Sequence, residues 1–488
     1  MDKSDSLEKQ IKNQTIISIL SQFGLTAVGF LATIYFARKA PPETVGYYYL
    51  LFSLYTLFIL FSESGIGEAS VKIMSEGKEK DEYYSASLFV RFVYLIFELL
   101  SILIIYILFP NSDIILSGLH MWLVVALVSD FLYSSRIYAN YGQGNVNVYQ
   151  IGLFLNTALR SVFQIVFVYL GYYLFGLNGG FIFGMIATAI LTQKYIKLKL
   201  KKIDLNHVKR IFSFSLWIFL VMSSFLIHQN MDVVFLGAIS GEETAAIYRI
   251  VYQFSMLAGL FAISAKAVLY PKFSAWNENK ENEKIENALD EGLKFSLLLA
   301  IPIFFSFLVL GYDFISLFYG GVYTKGVLTL QILTAVQIVT VFMYLGGVCL
   351  NAISKPKESF FAIATGILLN VILNLLFIKK WGPEGAALAT LAAISVSSII
   401  TFLILKKYIN VKIPTISTLK MVFASIVMVI FLILFKKYIG IGQSIPILIS
   451  VFTVGGLLYG FLMLLIDESI RDMFTGMMKG FVKIFKIK

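Results

Sequence analysis

Cysteine and histidine are scarce in this sequence. Its 488 residues include one cysteine, Cys349, and three histidines, His120, His207 and His228, which lie far apart. One thiol cannot form an intrachain disulfide, and scattered imidazoles lack the short ligand spacings of structural zinc sites. We therefore expect no disulfide framework, no metal site and no metalloenzyme chemistry.

Charged residues are also few, at 14% of the chain against a soluble norm of about 25%. Hydrophobic residues make up 58%, and apolar runs long enough to cross the roughly 30 Å hydrocarbon core of a bilayer recur along the chain. The sequence predicts an all-α polytopic membrane protein. In such a protein the net charge of +11 indicates basic loops that contact anionic lipid, and not nucleic acid.

Sequence motifs of catalysis are absent as well. The chain has no phosphate-binding glycine-rich loop, no HExxH zinc motif and no Gly-x-Ser-x-Gly elbow, so we predict that it is not an enzyme. The polar N-terminal segment lacks the basic and small-residue features of a removable signal peptide. We expect the first membrane span itself to direct insertion.

Apolar periodicity predicts about fourteen spans. Lysine and arginine concentrate in the N-terminus, the even-numbered connections and the C-terminus, which places both termini in the cytoplasm. The predicted spans cover residues 15–37, 45–64, 85–109, 119–139, 151–173, 175–193, 211–236, 245–270, 293–318, 327–351, 360–378, 384–405, 418–435 and 446–466.

An internal repeat divides the chain. Residues 37–48 align with residues 237–248 at a constant offset of 200, and Arg91 aligns with Lys294. Six spans per half imply a parallel repeat about an axis along the membrane normal. The predicted parts are an N-terminal six-helix lobe (1–193), a basic cytoplasmic linker (194–210), a C-terminal six-helix lobe (211–405), two additional helices (406–466) and a basic amphipathic cytoplasmic tail (467–488).

Each half contains a helical hairpin with small residues after a tight turn. In the second half, residues 366–393 form two apolar runs joined by Trp-Gly-Pro-Glu-Gly, with Gly382 in the turn. Residues 175–187 have the same build in the first half, where Gly176 occupies the place of Gly382. We expect both hairpins to pack closely.

Polar side chains form stripes on these hairpins. Asn156, Arg160 and Gln164 follow at i, i+4 and i+8 on span five, and Asn370 and Asn374 repeat the pattern on span eleven. A charge at mid-bilayer costs about 2.5–3.5 kcal/mol on insertion scales, so Arg160 is expected to face a cavity. We predict that all five bind substrate; interhelical hydrogen bonding is the alternative for the amides.

Three further cations are candidate substrate ligands near the cytoplasmic ends of spans. Arg91, Lys294 and Lys266 would capture an anionic head group from the inner side. The alternatives are that they extend to lipid phosphates, or that Lys266 pairs with Glu63 or Glu68. We assign the two glutamates to gating or ion coupling.

The remaining candidates for gating or ion coupling lie on spans seven and eight. Asp232 and Arg249 fall toward the outer face in successive helices, where an ion pair would close the outer side. A purely structural pair is the alternative. His228 is a candidate proton carrier, or a hydrogen-bonded structural histidine.

These residues resemble a known family. The asparagine-striped span followed by Gly382 to Thr390, and Asp232 followed by a turn and Tyr248, are similar to the polysaccharide (O-antigen, Wzx-type) flippases of the multidrug/oligosaccharidyl-lipid/polysaccharide (MOP) exporter superfamily, whose members include the MATE exporters. The resemblance implies a two-lobed, MATE-like transporter in a bacterial or archaeal cell membrane. It further implies that an oligosaccharide on a polyprenyl diphosphate moves from the cytoplasmic to the outer leaflet by alternating access, for surface polysaccharide synthesis.

Partners, energy source and alternatives follow from this resemblance. Membrane lipids and polysaccharide polymerase machinery are the expected partners, and no cofactor is expected. A gradient of H+ or Na+, or the membrane potential, would drive transport; two negative charges moving outward gain about 4.6 kcal/mol at 100 mV. A lipid II flippase for peptidoglycan and a cation-coupled multidrug exporter remain alternatives, and a membrane glycan polymerase or ligase is the enzyme alternative.

Overall fold

The computed structural model describes residue 24 and residues 28–76, 79–111, 118–438 and 444–475. Within these ranges the secondary structure is helical, with turns and short extended segments and no β-strand. The helices are α1 (28–39), α2 (Pro42–Phe58), α3 (Glu68–Ser75), α4 (Lys80–Leu108), α5 (Leu119–Gly142), α6 (Val146–Tyr169), α7 (Tyr173–Gln193), α8 (Leu205–Ser240), α9 (Glu242–Ser255), α10 (Leu260–Glu278), α11 (Asn282–Tyr319), α12 (Val327–Ala352), α13 (Pro356–Leu405), α14 (Thr415–Tyr438) and α15 (Ile445–Ile466).

Nine helical segments of the described chain are long and apolar enough to cross a membrane. They are Lys80–Leu108, Val146–Tyr169, Tyr173–Gln193, Glu242–Glu278, Asn282–Tyr319, Gly321–Ala352, Pro356–Leu405, Thr415–Tyr438 and Ile445–Ile466. The prediction of an all-α polytopic membrane protein is confirmed at this level. The predicted residues of span one before 28, and of the tail after 475, lie outside the described ranges apart from residue 24.

The chain forms two compact units, Met1–Ala246 and Ile247–Lys488, called unit 1 and unit 2 below. This division follows spatial contact, whereas the predicted lobes follow the sequence repeat, so α8 belongs to unit 1 by contact and to the second lobe by repeat. The repeat offset of 200 reappears in the helix starts, because α2 begins at Pro42 and α9 at Glu242.

Unit 1 contains an interrupted helix. After α2 the chain continues as a π-helical segment, Phe61–Gly67, before α3 begins. The hydroxyl of Tyr94 on α4 donates a 3.0 Å hydrogen bond to the carbonyl of Phe58, the last residue of α2. π-Helical turns are rare and occur often at functional sites. The π segment therefore marks a position where span two departs from regular helix.

Unit 2 is built on the long helix α11, which packs against α10, α12, α14 and α15. Phe254, Phe307, Phe314 and Phe452 meet with ring centroids 5.3–6.5 Å apart. Since Phe452 lies on α15, this aromatic cluster joins the C-terminal pair of helices to the rest of the unit.

Both predicted hairpins form. A straight helix of 50 residues would span about 75 Å, so α13 must bend. It does so at Gly382, whose φ of 52° and ψ of −127° lie outside the helical region. In the first hairpin the left-handed glycine is Gly171 (φ 87°), and not Gly176, which packs inside α7 against Phe167. The alignment of Gly176 with Gly382 was therefore wrong, because the turn glycine of the first hairpin is Gly171. The spacing of the small residues that pack between the helices did not predict where the turn lies.

The basic linker is bound along the surface of unit 1. Residues 196–204 run without helical structure, and we call them the strap. Its main-chain N–H groups at Lys197, Lys199 and Lys201 donate to side-chain oxygens of Gln143, Asp81 and Ser85 over 2.9–3.1 Å. Alternate N–H groups thus face one edge, as in a β-strand.

Apolar packing and an exposed ion pair complete the attachment of the strap. Leu198 and Ile203 pack against an apolar cluster of α3, α4 and the start of α8. The Lys201 ammonium donates a 2.9 Å hydrogen bond to Glu82, and this bond raises the pKa of Lys201 above its ordinary value. Asp204 then caps α8 in a capping box with His207.

Candidate functional site

The polar stripe of α6 faces the neighbouring helix of its hairpin. The Gln164 side-chain amide is buried and donates a 2.8 Å hydrogen bond to the carbonyl of Leu177 on α7. A Cβ at Gly184 would lie 2.7 Å from the Asn156 carbonyl and 2.9 Å from the Arg160 Cβ. Gly184 is thus one of the small residues that let α6 and α7 pack closely.

Arg160 differs from its neighbours on the stripe. Its side chain is only half-buried, and its Nε has no hydrogen-bond partner in the described part of the chain. No carboxylate of the described residues forms an ion pair with it. The guanidinium is therefore available to an anion, whereas Gln164 is already used in packing.

The second stripe links the two arms of α13. Asn370 donates a 3.1 Å hydrogen bond to the Thr390 hydroxyl, and Asn374 donates a 3.0 Å hydrogen bond to the Asn370 side-chain oxygen. All three side chains are buried. A buried amide thus ties each hairpin together, as the interhelical alternative proposed; substrate binding by Asn156, Gln164, Asn370 and Asn374 stays a prediction.

The three candidate cations lie in different surroundings. Lys294 is bound by Asp290 at 2.7 Å and by Ser469 at 3.3 Å, and Lys266 lies 4.9 Å from the centroid of the Tyr344 ring. Arg91 is 2% exposed in the interior of unit 1. Capture of a head group by these cations stays a prediction. A pairing of Lys266 with Glu63 or Glu68 also stays a prediction, because Lys266 belongs to unit 2 and the two glutamates belong to unit 1.

The gating candidates on α8 and α9 also fall in separate units. Asp232 is buried in unit 1, and Arg249 lies in unit 2 with its Cζ 5.7 Å from the Tyr252 ring centroid. Their pairing stays a prediction. The side chain of His228 lies outside the described part of the structure.

A buried polar cluster in unit 1 contains residues that the sequence reasoning did not single out. It comprises Arg91 and Glu98 on α4, Asp130 on α5 and Glu63 in the π segment, whose charges lie close enough to interact, and we call it the carboxyl cluster. Glu98 is 5% exposed and Asp130 3% exposed. Their sequence signal was a lone carboxyl inside an apolar span, which marks a functional residue by default.

Two tyrosines and a serine bind Glu63, Asp130 and Arg91 of this cluster. Tyr138 donates a 3.0 Å hydrogen bond to Glu63, and Tyr55 donates a 2.7 Å hydrogen bond to Asp130. Arg91 donates a 2.6 Å hydrogen bond to Ser134, and its Cζ lies 4.8 Å from the Tyr138 ring centroid. Glu68 is half-buried at the start of α3, beside the π segment.

Family models of two kinds match the chain. A model described as "Polysaccharide biosynthesis protein" matches residues 11–277, just over half of the chain. A second model, described as "Lipid II flippase MurJ", matches residues 146–450. The two matches overlap over residues 146–277.

Two individual proteins that match this chain are also named as flippases. The chain is 24% identical to the probable low-salt glycan biosynthesis flippase Agl15 of Haloferax volcanii, over 91% of this chain and 93% of that protein. A solved structure of the lipid II flippase MurJ in an inward closed conformation has a TM-score of 0.74 and 21% identity, covering 91% of this chain and 98% of that one.

A structure of an inward-facing multidrug resistance MATE family transporter has a TM-score of 0.68 and 16% identity, covering 80% of this chain and 97% of that one. At these identities the two structures show a shared fold only. From the matching family models, the chain belongs to the polysaccharide biosynthesis protein family and is related to the lipid II flippase family, and it shares the fold of a MATE family transporter of the MOP superfamily.

Proposed function

We propose that this chain is a flippase for polyprenyl-diphosphate-linked oligosaccharide, which it moves from the cytoplasmic to the outer leaflet for surface polysaccharide synthesis. The observation that carries the proposal is Arg160. It lies in the middle of a membrane span, half-buried, with no carboxylate bound to it among the described residues. The negative charge of a diphosphate is complementary to this guanidinium.

The cost of the unpaired cation supports this assignment. A guanidinium at mid-bilayer costs about 2.5–3.5 kcal/mol on insertion scales, and a structural arginine would be paired to reduce that cost. Arginine also binds phosphate with two parallel N–H donors. The relative from Haloferax volcanii is named as a glycan biosynthesis flippase and aligns over nearly the full length of both chains, which agrees with this cargo.

The finer architecture is part of the same proposal. We infer fourteen spans in two six-helix lobes plus two further helices, both termini in the cytoplasm, and alternating access between the lobes. In this orientation the strap faces the cytoplasm. Cargo with two negative charges would gain about 4.6 kcal/mol on moving outward at 100 mV, interior negative.

Arg160→Ala tests the proposal in cells that depend on this chain for surface glycan. We expect at least a tenfold loss of surface glycan at an unchanged level of protein in the membrane, with partial recovery in Arg160→Lys. Arg471→Ala is the control, because Arg471 forms an exposed pair with Glu468 at 3.5 Å. Normal export by Arg160→Ala would refute the role of Arg160.

A lipid II flippase is the second candidate, because the lipid II flippase family model matches residues 146–450. Both cargoes carry a diphosphate, so Arg160 does not distinguish them. The chain should be expressed in two hosts, one lacking its polysaccharide flippase and one depleted of its lipid II flippase. We expect rescue of surface glycan in the first host; rescue of growth in the second host alone would reassign the cargo.

A cation-coupled multidrug exporter is the third candidate, favoured by the buried carboxyl of Asp232. Export of a cationic drug requires an acidic cargo site. Expression in a drug-sensitive host should therefore leave the resistance to cationic compounds unchanged. A rise in resistance that Asp232→Asn abolishes would favour this candidate over a glycan flippase.

A further inference from the structure

The carboxyl cluster holds more acidic groups than cations. The cluster contains three carboxyl groups, those of Glu63, Glu98 and Asp130. Among the described residues, Arg91 is the one basic side chain in the cluster. Arg91, Glu98 and Asp130 are each at least 95% buried. Three ionised carboxylates would therefore leave a net charge of −2 inside an apolar bundle.

Arg91 does not neutralise these acids by direct contact. Its guanidinium donates to Ser134 and stacks beside the Tyr138 ring, and no carboxylate of the described residues forms an ion pair with it. Its Nε and Nη2 have no hydrogen-bond partner in the described structure. One oxygen of Glu63 and one of Glu98 are likewise buried without a partner.

Buried charges of this kind are unstable in an apolar surrounding. Removing a carboxylate from water without a compensating partner is so unfavourable that the group takes up a proton instead. A bound metal ion is a poorer explanation, because no group of three His, Cys, Asp or Glu side chains in the described chain is arranged to hold one. The guanidinium of Arg91 would also repel a cation.

We propose that Glu63, Glu98 and Asp130 form a proton-binding site inside unit 1, with Arg91 as its internal counter-charge. A proton from water adds to a carboxylate oxygen and gives a neutral carboxylic acid. When Glu63 loses its proton, the free Nε and Nη2 groups of Arg91 supply the donors that the carboxylate needs. When Glu63 is protonated, Arg91 remains on Ser134 and the Tyr138 ring.

The surroundings favour Glu63 as the point of proton entry. Glu63 is half-buried and lies in the π segment, whereas Glu98 and Asp130 are buried more deeply. Gly67 closes this segment, and a Cβ there would lie 2.6 Å from Arg91 Nη2, so glycine leaves the room that the guanidinium occupies. The other titratable side chains near the site are Tyr55, Glu68, Tyr133, Tyr138 and Tyr149, and the side chain of His228 on α8 is outside the described structure.

The transport consequence rests on the proposed function. A site that binds a proton in one state and releases it in another would let a proton gradient drive cargo movement. A proton-binding site is a property of unit 1 alone, however, and can be measured without cargo.

Infrared spectroscopy of the full chain in lipid bilayers tests the site. Protonated carboxylic acids have a C=O stretching band that ionised carboxylates lack, and this band shifts in D2O. We expect the wild-type protein to show the band at neutral pH, and we expect Glu98→Gln, Glu63→Gln and Asp130→Asn each to change it. Glu76→Gln is the matched control, because Glu76 lies outside the cluster and pairs with Arg210 at the surface.

Three results would overturn the proposal: no protonated-carboxyl band in the wild-type protein, a band unchanged in all three variants, or a band that responds to Na+ and not to pH. Should Glu98→Gln not fold, Glu98→Asp keeps the carboxyl and should shift the band. Normal surface glycan in cells that lack this chain, together with a protonated-carboxyl band in the wild-type protein, would contradict the proposed function and leave the proton site standing. Intact export with altered bands would support the site and separate it from transport.

Discussion

The hydrogen bond between Asn370 and Thr390 offers a direct test of why asparagines line the second hairpin. Asn370 donates to the Thr390 hydroxyl at 3.1 Å, and Asn370 and Thr390 are 1% and 3% exposed. The bond joins the two arms of α13 on either side of Gly382. If it holds the hairpin together, removing it should loosen the helix pair.

The expected size follows from measured membrane hydrogen bonds. Interhelical bonds contribute ~0.6 kcal/mol on average and at most about 1.7 kcal/mol in double-mutant cycles. Asn370 also accepts a bond from Asn374, so Asn370→Ala removes two bonds and leaves a cavity. We therefore expect the single variant to lose about 2–4 kcal/mol, within the range for emptying a buried site, and the pair itself to account for about 0.6–1.7 kcal/mol of coupling.

A double-mutant cycle isolates that pair. Asn370→Ala, Thr390→Val and the double variant are compared with the wild type by reversible unfolding in mixed micelles. Thr390→Val keeps the shape of the side chain while removing the hydroxyl, and Thr390→Ser is the control because it keeps the hydroxyl. The coupling energy is the part of the double variant's loss that the single losses do not explain by addition.

Coupling of zero within the experimental error of about 0.3–0.5 kcal/mol would refute the reasoning. The hydrogen bond from Asn370 to Thr390 would then contribute nothing to the stability of the hairpin, and the Asn370 amide would be available to bind cargo. Full coupling with normal glycan export by Thr390→Val would assign the pair to packing. The two readings of the stripe are thus separable by one set of variants.

Three further predictions concern unit 1. Gly184→Leu should destabilise the α6–α7 hairpin by about 1–3 kcal/mol, the usual cost of overfilling a packed contact. Gly456→Leu is the control and should not destabilise the protein, because a side chain at that position meets open space. Equal thermal stability of the two variants would contradict this prediction. Asp81→Ala removes the acceptor for the Lys199 N–H group, and the attachment of the strap should lose about 0.5–1.5 kcal/mol. This loss corresponds to roughly two- to twelvefold faster trypsin cleavage in the strap. Cleavage in residues 406–414 is the control and should not change. Since the pKa of Lys201 is raised by Glu82, the contribution of that pair is complete below the ordinary lysine pKa and is lost as pH rises through the raised value, so protection of the strap should fall only in alkaline solution.

Composition and small residues carried much of the fold. Apolar runs of membrane length predicted the polytopic helical class, and the Trp-Gly-Pro-Glu-Gly run placed one turn at Gly382. The corresponding turn at Gly171 was missed, because a glycine that packs closely and a glycine with positive φ look alike in sequence. Only the backbone distinguishes them.

The carboxyl cluster was less accessible to sequence reasoning. Glu63, Glu98 and Asp130 lie on three spans and are separated by 35 and 32 positions, so no spacing rule connects them. The π segment has no recognised sequence signature in this chain, yet it places Ser62 and Glu63 beside Arg91. A lone carboxyl in an apolar run was visible; its partners were not.

Arg91 and Lys294, which the predicted repeat aligns, differ in their surroundings. Lys294 is held by Asp290, one turn earlier on the same helix, so its charge is neutralised locally whatever the rest of unit 2 does. Arg91 has no such partner in the part of the chain that the structure describes, and its contacts include Ser134 and the Tyr138 ring. The Lys294 ammonium thus already has its carboxylate, whereas Arg91 keeps two unused donor groups beside buried acids. In our proposal, the absence of a carboxylate one turn before Arg91, where the chain has Ser87, leaves this cation available to the proton site of unit 1.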